Sequence, residues 1–426
     1  MLYWVLANNT SEGLVVDTID SAATPENGCK LKCSNTYWEF TGTCTQCGHC
    51  MKACTSLTSA GMTLGDIAKA LLKAEREATS KEELAMLIAS NGPLVQAVRG
   101  CFFCTSCKNT CFAHNDVCDL IYHARVDFQD LGLIPRWAWS SVLVDQEWDI
   151  FTAYRAIYGI GFTDLTRHVV TESHGAESDC KVAFFPGCSM AAYAPELTRE
   201  IFSTVEELGG KTTMIDHCCG SPLKSAGFYD RAEALCDRIA NEISDSGADE
   251  VVCVCPGCAN AMRSTLAKRD IDVETTTLSA FLAEHHFAPK RELPDTPLLM
   301  SKSCQDRDGS YLEQTCAALG IDLETPSVFR GCCGAGGAVS AFDSERQAQQ
   351  ADSKLSFAED GSTVVTMCPT CTYTYAFRLM SAQRDISNKH YTELMFENQF
   401  DWPKAFSQLE GMYSGEYGPW LAQVFA

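Results

Sequence analysis

The chain has 426 residues, 46% hydrophobic and 10% aromatic, with a formal net charge of −22 at pH 7. This length predicts two or three domains with ample cores, and the acidic balance argues against a nucleic-acid-binding protein. No apolar run approaches the roughly eighteen residues of a membrane span, and the first thirty residues lack the pattern of a signal peptide. The 25 cysteines are clustered, which indicates metal-bound thiolates in a reducing cytoplasm rather than a disulfide scaffold.

The first segment, residues 1–40, is a poorly patterned extension. It contains Cys29 and Cys33 in the sequence GCKLKC. Their spacing would suit a pair of metal ligands, but no complementary pair lies nearby. We therefore expect them to be structural or redox-neutral thiols.

Two runs of the form C-x-x-C-x-x-C-x-x-x-C characterise the next segment, residues 41–125. The segment between them is predicted to be helical, because Thr63 and Ser80 each begin a capping pattern ahead of an amphipathic stretch. The sequence therefore predicts an α-helical domain of the ferredoxin type. The cysteines of its two runs are Cys44, Cys47, Cys50 and Cys54, then Cys101, Cys104, Cys107 and Cys111.

This spacing is typical of cubane [4Fe-4S] clusters, in which a C-x-x-C-x-x-C loop supplies three ligands and the other run supplies the fourth. Zinc is the alternative, but zinc ribbons use pairs of C-x-x-C rather than runs of four. The two predicted ligand sets are Cys44, Cys47, Cys50 and Cys111 for one cluster, and Cys101, Cys104, Cys107 and Cys54 for the other.

Residues 126–179 form a connector rich in aromatic side chains, among them Trp148, Tyr154 and Tyr158. Such a segment would either grip a partner or pack between two halves of one chain. We favour internal packing.

From residue 180 the chain repeats itself in two units, 180–295 and 296–400, followed by a tail at 401–426 that we expect to dock on the body. Each unit alternates short apolar strands with amphipathic helices, which predicts α/β architecture. The predicted strands are 181–187, 212–216, 250–255, 297–303 and 363–367. The fold class is therefore α/β: two pseudo-symmetric repeats that follow a helical two-cluster domain.

Each repeat contains five cysteines: one alone, an adjacent Cys-Cys before Gly, and a C-P-x-C. Neighbouring cysteines do not easily chelate one tetrahedral ion, so the pattern favours a larger metal core or a bridging thiolate. Gly220, Gly334, Gly336 and Gly337 would allow backbone to approach that core and donate to sulfur. The sets are Cys188, Cys218, Cys219, Cys255 and Cys258, and Cys304, Cys332, Cys333, Cys368 and Cys371.

The motifs FFPGC, HCCG, CPGC, GCCG and CPTC, preceded by the paired runs, resemble the heterodisulfide reductase family. The repeats resemble its catalytic B subunit, the segment before them its C subunit, and the whole chain the fused D-type subunit with two Cys-Cys-Gly (CCG) domains. Similar layouts occur in the iron–sulfur subunits of anaerobic glycerol-3-phosphate dehydrogenase and glycolate oxidase. The resemblance implies one noncubane [4Fe-4S] cluster on each five-cysteine set, at an active site.

The expected function is an iron–sulfur oxidoreductase that relays electrons through two cubanes to a CCG site that reduces a disulfide. The alternative is an electron carrier between a flavin dehydrogenase, of the glycerol-3-phosphate, lactate or glycolate type, and quinone. The implied partners are a flavoprotein, a hydrogenase, or a membrane cytochrome or quinone-reactive subunit. No flavin fingerprint is recognised in the chain, which we expect in the cytoplasm or held peripherally at the inner membrane by a partner.

Overall fold

The computed structural model describes residues 30–115, 117–135, 139–166, 180–324 and 326–425. Cys29 and parts of the N-terminal extension and of the aromatic connector lie outside these ranges. None of the helices in the described ranges combines the length and apolar character that a bilayer crossing requires.

The first part of the described chain is helical, including the stretch between the two cysteine runs. Thr63 caps one of these helices as predicted: its side chain accepts from the backbone N–H of Asp66, whose carboxylate accepts from the N–H of Thr63 at 2.9 Å. Ser80 also accepts from the N–H of Glu83. The helices span Ser34–Thr43, His49–Lys52, Thr55–Ala60, Leu64–Glu77, Lys81–Ser90, Gly92–Arg99, Ser106–Asn109, Val117–Asp130 and Ile150–Ile157, with a 3₁₀ turn at Ser140–Val142.

Two four-stranded parallel sheets follow, and both have the same strand order. In the first sheet the order is β2-β1-β3-β4, and in the second it is β6-β5-β7-β8. The α/β class predicted from the sequence is therefore confirmed. The strands are β1 Val182–Phe185, β2 Thr212–Met214, β3 Glu250–Cys253, β4 Glu274–Thr277, β5 Leu298–Ser301, β6 Ser327–Phe329, β7 Thr363–Thr366 and β8 Ser387–His390.

Helices connect these parallel strands and cover both sheets, as crossover connections require. Those of the first unit span Cys188–Tyr193, Pro195–Gly209, Ser221–Ala226, Tyr229–Asp245, Pro256–Ala267 and Leu278–Glu284. Those of the second unit and the tail span Ser310–Leu319, Val339–Phe342, Ser344–Leu355, Pro369–Ala382, Thr392–Met395, Trp402–Ser414 and Gly418–Val424, with a 3₁₀ turn at Gly336–Ala338.

Alternate residues of β1 enter two different cores. Ala183 and Phe185 pack into the core of the helical first part. Val182 and Phe184 face the other way, into a core that also contains Met300 of the second sheet. The first sheet is thus packed on both faces.

Three strands were absent from the prediction: β4, β6 and β8. The residues of β4 and β8 are polar and only the last of each is buried, while β6 has three residues. Each lies at the edge of its sheet. Without a buried apolar pattern, sequence periodicity does not detect such strands.

The tail docks on the body through polar and aromatic contacts. The hydroxyl groups of Tyr154 and Tyr158 donate to the side-chain and backbone oxygens of Gln408, at 2.6 and 2.7 Å. The rings of Trp148 and Trp420 meet edge to face at 5.2 Å. The connector's aromatic side chains therefore serve internal packing, which was the favoured alternative.

A glycine pair brings the second unit against the second cysteine run. A Cβ atom at Gly336 would lie 2.2 Å from the carbonyl oxygen of Phe102, and one at Gly337 would lie 2.0 Å from that of Cys101. Gly337 also has a φ of +67°. Any larger residue would force these two segments of backbone apart.

We predict that Gly337→Ala destabilises the protein more than Gly361→Ala. Both glycines have positive φ, but a Cβ at Gly361 meets nothing within 4 Å. The control therefore carries the left-handed strain alone, roughly 1–2 kcal/mol, whereas Gly337→Ala adds a clash with backbone. Thermal unfolding of anaerobically purified variants measures the difference, and equal shifts in melting temperature would contradict the packing described.

Candidate metal centres

Four thiols from both cysteine runs line a cavity at the start of the helix Leu64–Glu77. The backbone N–H of Leu64 donates to the sulfur of Cys50, and Cys47 is exposed at the cavity mouth. The N–H of His49 donates to Cys47 and lowers the pKa of that thiol to about 7. The four cysteines are Cys44, Cys47, Cys50 and Cys111.

The loops of the two runs share an unusual backbone conformation. In the first run Gln46 and Gly48 have φ of +54° and +77°, and in the second run Phe103 and Thr105 have φ of +52° and +63°. These are the equivalent positions, two and four residues after the first cysteine of each run. Left-handed backbone at non-glycine residues is strained and is found at functional sites. Both loops therefore curl in the same way around their cavities.

The second cavity lies deeper, between the helical part and the second α/β unit. Burial raises the pKa of the Cys101 thiol, and a hydrogen bond from Cys332 lowers the pKa of Cys104 to about 6. Its predicted ligands Cys54, Cys101, Cys104 and Cys107 are joined at the cavity wall by two further cysteines, Cys118 and Cys332.

Cys118 is a site residue that the sequence did not reveal. It is buried near the start of the helix Val117–Asp130 and interacts with Cys107, whose pKa is raised first by that contact and then by burial. Cys118 lies outside the C-x-x-C pattern, seven residues beyond Cys111, so spacing provided no signal. Cys33 stands apart from both cavities, half-buried, with its pKa raised by burial to about 12.

The five cysteines of the first unit gather where its strands end. Cys188 follows β1, Cys218 and Cys219 follow β2, and Cys255 and Cys258 follow β3. Because parallel strands point the same way, their carboxyl ends meet at one edge of the sheet. Sulfur contacts run from Cys188 to Cys218, from Cys219 to Cys258, and from Cys258 to Cys255.

The second unit repeats this arrangement. The sulfur of Cys332 contacts those of Cys304 and Cys333, and Cys371 lies 3.1 Å from Cys333. Cys371 in turn contacts Cys368. The backbone N–H of Gly334 donates to the sulfur of Cys332 at 3.3 Å, as its position in the motif predicts.

Two contacts between sulfur atoms connect the second cavity, the five cysteines of the second unit and the five cysteines of the first unit. Cys255 of the first unit and Cys368 of the second have sulfur atoms 3.7 Å apart. Cys332 of the second unit contacts Cys104 of the second cavity. A continuous path of cysteine side chains therefore runs from the second cavity through the second unit to the first.

Gly336 and Gly337 have a different role from the one that the sequence predicted for them. Gly336 and Gly337 approach the carbonyl groups of Phe102 and Cys101 in the second run, rather than the sulfur atoms of their own unit. Their small size seats Cys332 against the second cavity. The sequence repeat did not indicate that the second unit packs against the second cysteine run.

A buried histidine beside the second set was also missed. His390 ends β8, and its Nδ1 lies 2.7 Å from the hydroxyl of Thr392. Burial lowers its pKa to about 4, so it is neutral at pH 7. It is the last residue of a polar edge strand that the apolar pattern did not predict.

The donor chemistry of these sites fits iron–sulfur clusters. No cysteine in the described ranges forms a disulfide, and iron in such clusters is held by cysteine thiolates. Among the described residues, no three His, Cys, Asp or Glu side chains converge on a position for one ion. The sulfur-rich walls of each cavity would suit a group in which several thiolates hold several iron atoms.

Comparison with known proteins identifies both α/β units. The cysteine-rich domain family, CCG, matches residues 182–263 and 299–375. Two uncharacterized iron–sulfur proteins, from Methanococcus maripaludis and Methanocaldococcus jannaschii, are 25% and 26% identical over 45% and 48% of this chain. The match spans less than half the length of each, 40% and 43%.

A longer match is found with the D subunit of dihydromethanophenazine:CoB–CoM heterodisulfide reductase. The protein from Methanosarcina acetivorans is 22% identical over 77% of this chain and 86% of its own length. That from Methanosarcina barkeri is 22% identical over 83% of this chain and 93% of its own. These alignments are too long to be confined to the two CCG regions.

We predict that Cys47→Ser removes one centre and leaves the others. Its side chain lines the first cavity alone, so iron and sulfide should each fall by about four per chain, the content of one cubane. Cys316→Ala is the control, since Cys316 is buried in the helix Ser310–Leu319 outside the cysteine sets. Iron and sulfide analysis checks both variants, and an unchanged iron content in Cys47→Ser would contradict the assignment.

Proposed function

We propose that this protein is an iron–sulfur oxidoreductase that reduces a disulfide. The chain carries two CCG domains, and it is similar over most of its length to the D-type heterodisulfide reductase proteins. Its proposed cofactors are a cubane [4Fe-4S] cluster in each cavity and a noncubane cluster on each five-cysteine set. When bound, these groups would store and pass single electrons. The continuous path of cysteines from the second cavity to both CCG units carries the proposal.

Electrons would enter at the first cavity. Cys47 is exposed there, whereas the cysteines of the second cavity are partly or fully buried. A protein donor can therefore approach the first cavity more closely. We propose a redox partner, such as a flavoprotein, as that donor.

The second cavity would pass electrons to the second CCG unit first. Cys104 belongs to the cavity and Cys332 to the unit, and their side chains touch. No such contact is needed for the first unit, which meets the second through Cys255 and Cys368 at 3.7 Å. The order along the path is therefore second cavity, second unit, first unit.

The disulfide would be reduced where the two CCG units meet. Cys255 and Cys368 are both partly accessible, and they stand on opposite sides of this contact. Splitting one S–S bond consumes two electrons and two protons and yields two thiols. Each unit would deliver one electron to one sulfur of the substrate.

Solvent rather than His390 would supply the protons. His390 lies near Cys368 and is fully buried, and its lowered pKa keeps it neutral at pH 7. Its imidazole therefore carries no extra proton to release.

We predict that Cys333→Ala abolishes disulfide reduction by reduced viologen while the cubane signals persist. Cys333 contacts Cys332 and Cys371 within the second set, but does not line either cubane cavity. Cys253→Ala is the matched control, because Cys253 is equally buried but lies within β3. Electron paramagnetic resonance and thiol release, measured on the same samples, test the pair.

A different result would favour the electron-carrier alternative. In that case the purified protein reduces no disulfide with reduced viologen as donor, yet it exchanges electrons with a flavin dehydrogenase. Cys333→Ala would then slow electron transfer to the acceptor without any disulfide chemistry to lose.

A further inference from the structure

Arg125 lies at the junction of the helical part and both α/β units. Its side chain, on the helix Val117–Asp130, is completely buried. Five hydrogen bonds extend from its guanidinium group, each to a backbone carbonyl. They reach Val98 at 3.1 Å from Nε, Ser225 and Gly337 at 2.7 and 2.9 Å from Nη1, and Arg99 and Cys101 at 2.9 and 3.0 Å from Nη2.

These five bonds connect all three parts of the protein. Ser225 belongs to the first unit, Gly337 to the second, and Cys101 to the second cysteine run. The planar fork of arginine can satisfy several carbonyl groups at once, which lysine cannot. Arg125 therefore holds in place the carbonyl group of Cys101, whose side chain lines the second cavity.

No carboxylate balances this charge within the described part of the chain. All five acceptors are carbonyl groups, and the aromatic rings of Phe103 and Trp139 lie 4.7 and 5.5 Å from the guanidinium carbon. Burial lowers the pKa of Arg125 to about 10, so the group stays charged at pH 7.

A buried charge without a counter-charge destabilises the folded protein strongly. Lys354 also lines the second cavity, but it is half-buried and therefore partly screened by solvent. An anionic cluster with cysteine ligands would supply the missing counter-charge for Arg125. A carboxylate lies behind the wall of the first cavity: Gln46 lines that cavity, and its Nε2 lies 3.5 Å from the carboxylate of Asp66.

We propose that Arg125 is a positioning residue whose buried charge raises the reduction potential of the second cubane above that of the first. This rests on the cubanes of the proposed function. Reduction adds one electron to the cluster and neither forms nor breaks a covalent bond, so a nearby cation stabilises the reduced form. The difference would draw electrons from the exposed first cavity toward Cys332.

Two substitutions separate charge from packing. Arg125→Lys keeps the positive charge but loses the planar guanidinium group. Arg125→Gln keeps a hydrogen-bond donor but loses the charge. We expect Arg125→Gln to lower the potential of the second cubane, with at least a tenfold change in its reduction equilibrium, equivalent to about 59 mV for one electron. Arg125→Lys should shift it much less, and the first cubane should not move in either variant.

The measurement is a potentiometric titration with reduced viologen and dithionite, read by electron paramagnetic resonance. The Cys47→Ser background isolates the second cubane. Arg269→Gln is the matched control, because its side chain is 17% exposed but is paired with Asp237 and Glu233. In the chain that retains Cys47, Arg269→Gln should leave the potentials of both cubanes unchanged.

Three results would overturn the proposal. One is an unchanged potential in Arg125→Gln with loss of thermal stability, which shows a purely structural role. Another is a shift in the potential of the second cubane in Arg125→Lys that equals the shift in Arg125→Gln. If neither variant binds iron, the unmodified protein decides, since a second cubane with a lower potential than the first contradicts the proposal.

Failure of the proposed function gives a different pattern. If the protein reduces no disulfide, but its cubanes titrate as described, the role of Arg125 stands and the substrate assignment falls. If no cubane signal forms at all, the proposed function falls first.

Discussion

The contact between the second cysteine run and the glycine pair of the second unit determines how the remainder of the molecule is arranged. Gly336 and Gly337 allow two stretches of backbone to approach at distances that a Cβ would prevent. That approach brings Cys104 and Cys332 into contact. Without it, two groups of cysteine side chains would be separated by packed side chains, and the path between them would be broken.

The repeat of the α/β unit accounts for the part of the cysteine path that joins the two units. Both units have the same order of parallel strands, and in each the cysteines follow the carboxyl ends of strands. Two such edges face one another, so that Cys255 and Cys368 meet at the boundary. A single unit would offer one five-cysteine set, whereas the pair provides two sets on opposite sides of one contact. That geometry suits chemistry that requires two electrons.

Burial of so many thiols has an electrostatic consequence. Low dielectric surroundings raise the pKa of a cysteine, as at Cys101 and Cys253. Metal ligation reverses that effect, because a coordinated sulfur is a thiolate. Hydrogen bonds also lower the pKa values of Cys47 and Cys104, to about 7 and about 6. In the same region Arg125 contributes a fixed positive charge that the carbonyl groups around it orient.

The sequence alone determined the chemistry: the spacing of Cys44 to Cys54 and of Cys101 to Cys111, and the repeated Cys-Cys-Gly, indicated thiolate-bound clusters and an α/β repeat. Local patterns carry such information because ligand loops and apolar strands are short. The sequence pattern did not predict edge strands such as β8, since their polar residues show no periodic burial. Tertiary structure alone decided that Cys332 adjoins Cys104, that Cys118 lies at the second cavity, and that Arg125 donates hydrogen bonds to carbonyl groups in three parts of the chain. The physical reason is that these contacts join residues distant in sequence, whose approach depends on packing that no local pattern encodes.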